Sequence, residues 1–135
     1  MKDIPASIPD GLEIQAIEAV LDRYFQGIYL GDTALLKSVF HPQATLFGEI
    51  RGAPYQKSAD EYIGGVGNRK SPHAAGEDFN MKTLSINVAH TLASAKVHCP
   101  FMDFNYVNFL SLVKYDDRWL IVNKILTDIP LLAAG

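Results

Sequence analysis

Tyr24, in the run DRYFQGIYLGD, is the first residue whose type and setting suit chemistry. It is in phase with Ile17, Leu21 and Ile28, so a helix over this run turns it inward. A phenol held in a dry cavity donates a hydrogen bond to an oxyanion forming on a substrate carbonyl. Such a reaction also needs a base within reach of the proton that moves. Asp103, where a strand begins in CPFMDFNY, is the leading candidate, with Glu49 in ATLFGEI and His41 in FHPQ as alternatives. Asn108 and Asn123 stand in two later strand-like runs. Their amides are neutral at every pH and offer both donor and acceptor, which suits recognition of a carbonyl or ring nitrogen. Phe47, Tyr62 and Trp119 supply apolar lining, and aromatic walls interleaved with amides fit a flat or polycyclic ligand. Packing accounts for the same residues too: a core tyrosine, amides paired with backbone, a strand-end acid, and a histidine capping the helix before Pro42.

Other chemistries find little support. The single cysteine, Cys99, lies in the apolar alternation KVHCPF and reads as a small buried hydrophobe, which excludes an internal disulfide framework. His41, His73, His90 and His98 lack the spacing of a metal site with a nearby acid, so no metal is expected. There is no G-x-G-x-x-G, P-loop or G-x-S-x-G, and GGVG at residues 64–67 follows a helix rather than a strand; no cofactor is expected.

The elements that position these residues follow from periodicity. Residues 1–9 carry two prolines and read as an extended arm, ahead of a single domain over 10–135. Asp10 and Glu13 suit a helix start, and an apolar stripe from Leu12 to Ile28 runs to a stop at Gly31. Asp32 caps a short second helix, TALLKSVF, which Pro42 ends. ATLFGEI is a short strand, RGAPYQ a turn-rich loop, and Ser58 with Glu61 a capping box opening a third helix, ADEYIGGV. GNRKSPHAAGE reads as a flexible loop and a candidate mobile lid or rim. From Asp78 the period becomes two, with hairpins at His90-Thr91 and Asp116-Asp117. Alternation puts Asn123 on the face of Trp119 and Ile121, and Lys124 on the opposite one, toward solvent or a dimer surface. The last two long strands are apolar on both faces, so the sheet must be covered twice. Helices cover one side, and a second copy of the chain is expected on the other.

The chain has 135 residues, 48% of them hydrophobic and 20% charged, with a formal charge of −3, ordinary values for one globular domain. No basic stripe points to nucleic acid, and no apolar run suits a membrane span or signal peptide, so a cytoplasmic location is expected.

RYFQGIYLGD, FHPQATLF, SADEYI and FLSLVKYDDRWLIVNKIL, in this order over residues 12–127, resemble the NTF2-like superfamily, and within it the putative lumazine-binding branch. The resemblance implies an α+β cone: three N-terminal helices packed on a strongly curved antiparallel sheet, with an apolar cavity at the wide end, often in dimers. It also implies an oxyanion-hole role for Tyr24, as in ketosteroid isomerase. The position that carries the isomerase base corresponds to Gly48, which departs from that pattern. Asn108 stands where an acid often precedes FLSL. Because this fold hosts many activities, three functions remain open: a binder of a small flat ligand, an isomerase-, cyclase- or dehydratase-type enzyme, and a protein-interaction module with a filled cone.

Overall fold

The computed structural model describes residues 11–130; the expected N-terminal arm and Asp10 lie outside them. Helix α1 spans Gly11–Leu30 and α2 Thr33–Val39; strands β1 (Phe40–Ile50) and β2 (Ala53–Ser58) precede α3 (Ala59–Gly67). Four long strands follow: β3 (Lys82–Ala89), β4 (Leu92–Phe101), β5 (Phe104–Tyr115) and β6 (Arg118–Asp128). They form one six-stranded sheet in the order β2-β1-β6-β5-β4-β3.

The apolar stripe of α1 buries Ile17, Val20, Leu21, Tyr24, Phe25 and Ile28 against the sheet. The helix ends where Gly31 takes φ +69° and the Asp32 N–H donates to the Gly27 carbonyl (2.9 Å). Asp32 then caps α2 by accepting from the Leu35 N–H (3.0 Å). Ser58 and Glu61 form the expected capping box of α3. Two-residue turns at Met102-Asp103 and Asp116-Asp117, all four residues with positive φ, join β4 to β5 and β5 to β6. This left-handed pair matches the twist of the strands it connects, and aspartate tolerates it better than most residues.

Four features differ from the sequence reading. The sheet is mixed, because β1 runs parallel to β6 while the other neighbours are antiparallel. The segment after Gly52 is a strand, paired with β1. His41 and Pro42 do not cap or end a helix: β1 begins at Phe40, and His41 Nδ1 accepts from the Gln43 N–H (3.0 Å). The segment expected as a lid is tied down. The His73 N–H donates to the Tyr29 carbonyl (3.0 Å), the Tyr29 hydroxyl donates to the Glu77 carbonyl (2.7 Å), and Glu77 accepts from the Met102 N–H (2.9 Å).

One irregularity decides which side chains face inward. Across β5 and β6, Ser111 pairs with Asn123 but Leu112 with Ile121, so Val122 is an extra residue in β6. A bulge of this kind shifts the alternation by one. Trp119 and Ile121 are buried before it, Lys124 and Leu126 after it.

Candidate functional site

A cavity of about 200 Å³ opens between α3, β2 and the inner faces of β4, β5 and β6. Its wall includes Tyr62, Arg69, Cys99, Phe101, Asn108 and Lys124. Each group has a structural origin. Asn108 and Cys99 sit on the inward alternation of β5 and β4. Tyr62 is on the buried stripe of α3, and Arg69 follows that helix, its guanidinium 5.2 Å from the centre of the Phe101 ring. Lys124 enters because of the bulge at Val122.

These groups are wired together. Asn108 Nδ2 donates to the Tyr24 hydroxyl (3.1 Å) and lies 3.7 Å from Cys99 Sγ. The Tyr62 hydroxyl accepts from Lys124 Nζ (3.0 Å), and the two phenols, Tyr24 and Tyr62, influence each other's proton affinity. The Lys124 ammonium position is 4.2 Å from the centre of the Tyr62 ring and 5.2 Å from that of Tyr24. Burial dominates the proton affinities. It pushes the Lys124 amine down to about 7, helped by the Arg69 charge and opposed by Cys99, because an ammonium out of water loses its hydration. It raises the Tyr24 and Tyr62 phenols and pushes the Cys99 thiol up to about 12, so these three stay protonated near neutral pH. Among the described residues three buried polar atoms have no hydrogen-bond partner: Arg69 Nε and Nη2, and Asn108 Oδ1. Leaving such atoms unpaired costs about 1–3 kcal/mol each, so a bound molecule with matching groups gains by pairing them.

Of the residues singled out from sequence, Asn108 and Tyr62 lie on the cavity wall. Tyr24 is fully buried one layer behind, where it holds Asn108 and Tyr62 in place. The others lie elsewhere. Phe47 points outward, 43% exposed, since Ala44 and Leu46 take the inward alternation of β1. Asn123 is turned out by the bulge and donates to the Thr45 carbonyl (3.1 Å). Trp119 is buried, but its indole donates to Glu13 (3.1 Å), a carboxylate that also takes Lys114 (2.7 Å) and ties the β5–β6 hairpin to the start of α1. Asp103 occupies a turn and borders a separate surface groove with Glu49 and Arg51. Glu49 accepts from the Gly52 N–H and Thr127. No carboxylate of Asp103 or Glu49, and no imidazole of His41, borders the cavity.

Gly48 cannot carry an acid. A Cβ there would lie 2.1 Å from the Leu126 carbonyl oxygen, because β1 and β6 approach too closely for a side chain. The residues that sequence reading missed are Lys124 and Arg69. Each is a charge in an otherwise apolar or helix-following run, but an isolated lysine in a strand carries no mark of the bulge that turns it inward. Among the described residues no group of three His, Cys, Asp or Glu side chains could hold a metal, and no helix is long and apolar enough to cross a membrane.

The family described as putative lumazine-binding matches residues 12–127. Among solved structures, an NTF2-like protein of unknown function from Silicibacter pomeroyi DSS-3 superposes with a TM-score of 0.82 at 21% identity, covering 90% of this chain and all of that one. A second, from Shewanella baltica OS155, gives 0.78 at 24% identity over 93% of this chain and all of that one. An aldolase, FrzH, from a Cladobotryum species is 24% identical over 124 residues, 87% of this chain and 93% of its own.

Proposed function

Since the chain belongs to the putative lumazine-binding family of the NTF2-like superfamily, we propose that its cavity binds a small, flat ligand of one or two rings. The observation that carries this reading is the convergence of unpaired Arg69 N–H groups and the unpaired Asn108 carbonyl on one aromatic-walled cavity. Arg69 suits an electron-rich or anionic edge, and Asn108 Oδ1 suits a ring N–H or hydroxyl. The volume, about 200 Å³, is below the roughly 300–1,000 Å³ of pockets for drug-sized molecules, so a polycyclic ligand does not fit without rearrangement. Titration of the purified protein with lumazine and a panel of one- and two-ring heteroaromatics, followed by fluorescence, tests it. Arg69→Met and Asn108→Leu should each weaken binding about tenfold, the loss of one buried hydrogen bond. Ligands that bind both variants as tightly as the parent protein sit somewhere else, and the reading fails.

A second reading, catalysis on a carbonyl compound, is favoured by the position of Lys124 and by the aldolase name of the Cladobotryum relative. The isomerase-type version with Asp103, Glu49 or His41 as base loses support, since none of them borders the cavity.

The outer sheet face supports pairing with a second copy. Phe47, Ile125 and Phe109 lie side by side across β1, β6 and β5, exposed by 43, 44 and 50%, beside an apolar depression of about 510 Å³. Light scattering after gel filtration should give a dimer mass for the parent chain and a monomer for Phe109→Lys.

A further inference from the structure

The geometry points to Lys124 as a carbonyl-reactive amine, forming an imine with a small aldehyde or ketone held in the cavity while Tyr62 relays the proton. The inference rests on the pocket reading above and names a substrate class for it.

Lysines are seldom buried without a carboxylate. Lys124 is 3% exposed, and no carboxylate pairs with it among the described residues. The groups facing it are Tyr24 from α1, Tyr62 from α3, Arg69 beyond that helix, Cys99 on β4 and Asn108 on β5. None is an anion near neutral pH, and Arg69 repels a second positive charge. Glu61, at the cavity rim, is taken up in its helix cap. Burial therefore leaves much of the amine neutral near pH 7, with a lone pair available for attack.

The hydrogen bonds around Tyr62 complete the device. Its hydroxyl accepts from Lys124 and keeps its own O–H proton, which it donates into the cavity that its side chain lines. Attack forms the Nζ–C bond as the carbonyl π pair moves onto oxygen. An amine proton passes to the Tyr62 oxygen, and the Tyr62 proton passes to the new alkoxide, giving a neutral carbinolamine. The carbinolamine hydroxyl then takes up a proton from solvent and leaves as water, and the nitrogen lone pair closes the C=N bond of a protonated imine. A carbonyl compound, a proton and the lysine thus become an iminium and one water, with no oxidant or reductant. Arg69 favours substrates with an anionic group beside the carbonyl.

The test is labelling of the full chain with 2,4-pentanedione near pH 7.5, which converts a neutral amine to a stable enaminone with a near-ultraviolet band. At that pH a solvent-exposed lysine is neutral in roughly one molecule in 10³, Lys124 in most of them. Peptide mapping should place the label on Lys124 at least about 100-fold faster than on any exposed lysine. The band should disappear in Lys124→Met and form more slowly in Tyr62→Phe. Label spread evenly over the exposed lysines, or absent from Lys124, overturns the inference; mapping on the parent protein decides this even if a variant fails to fold. The two readings separate in the same experiment. A heteroaromatic that binds while Lys124 stays unlabelled leaves the pocket reading standing and removes the imine chemistry. Labelling that no heteroaromatic slows does the reverse.

Discussion

Lys124→Met removes a buried amine while keeping most of its volume, and its effect on stability should depend on pH. The folded-state value lies near 7 against an ordinary 10.5. Each tenfold change in proton affinity is worth about 1.4 kcal/mol. Holding Lys124 as an ammonium therefore costs the fold as much as roughly 5 kcal/mol well below pH 7, where folded and unfolded chains are both protonated. Above pH 7 the folded chain releases the proton while the unfolded chain keeps it, so stability rises with pH until about 10.5. The window to use is pH 7–9. Toward its upper end the unfolded chain also ionises Cys99, and above it the tyrosines, which the fold keeps protonated, and these groups lower the stability of parent and variant alike as pH rises. Urea unfolding of parent and variant at pH 7, 8 and 9 isolates the lysine in their difference. The parent should gain roughly 2 kcal/mol on the variant between pH 7 and 9. Two stability curves that stay parallel across the window would refute the claim that Lys124 is buried with a depressed affinity.

Other substitutions probe the frame around the site. Gly48→Ala forces a methyl onto the Leu126 carbonyl at 2.1 Å, so it should lower stability by more than about 3 kcal/mol or part β1 from β6, seen as a melting-temperature drop. Tyr24→Phe removes the acceptor of the Asn108 amide and a partner of Tyr62, costing about 1–2 kcal/mol in urea unfolding and weakening ligand binding without touching the cavity wall. Ser58→Ala removes the side-chain acceptor of the Glu61 N–H in the α3 cap, costing about 1 kcal/mol by the same measurement, while the Glu61 carboxylate keeps its bond from the residue-58 N–H.

Much of this frame was legible in the residues. The stripe of α1, its glycine stop, the caps at Asp32 and Ser58, and the hairpin turns at His90-Thr91 and Asp116-Asp117 are local events, set by side chains within four residues of one another. The α+β cone and its family could be recognised from their order. The second strand was missed because APYQKS is polar and pairs only along one edge, with β1. The parallel pairing of β1 with β6 joins residues such as Thr45 and Asn123, 78 positions apart, which no local pattern reports.

The site divides in the same way. Tyr24, Tyr62 and Asn108 were found because helical and strand periods run unbroken to them. Phe47 was misplaced although strict alternation with Leu46 already turned it outward. Asn123 and Lys124 exchanged faces for a reason outside the period: one extra residue, Val122, accommodated between β5 and β1. The sequence by itself determined the helices, two caps, the later strands and the family. The tertiary structure alone decided that Lys124, rather than Asp103 or Glu49, reaches the cavity, because a bulge is a compromise among paired strands and a lone strand has no parity to break.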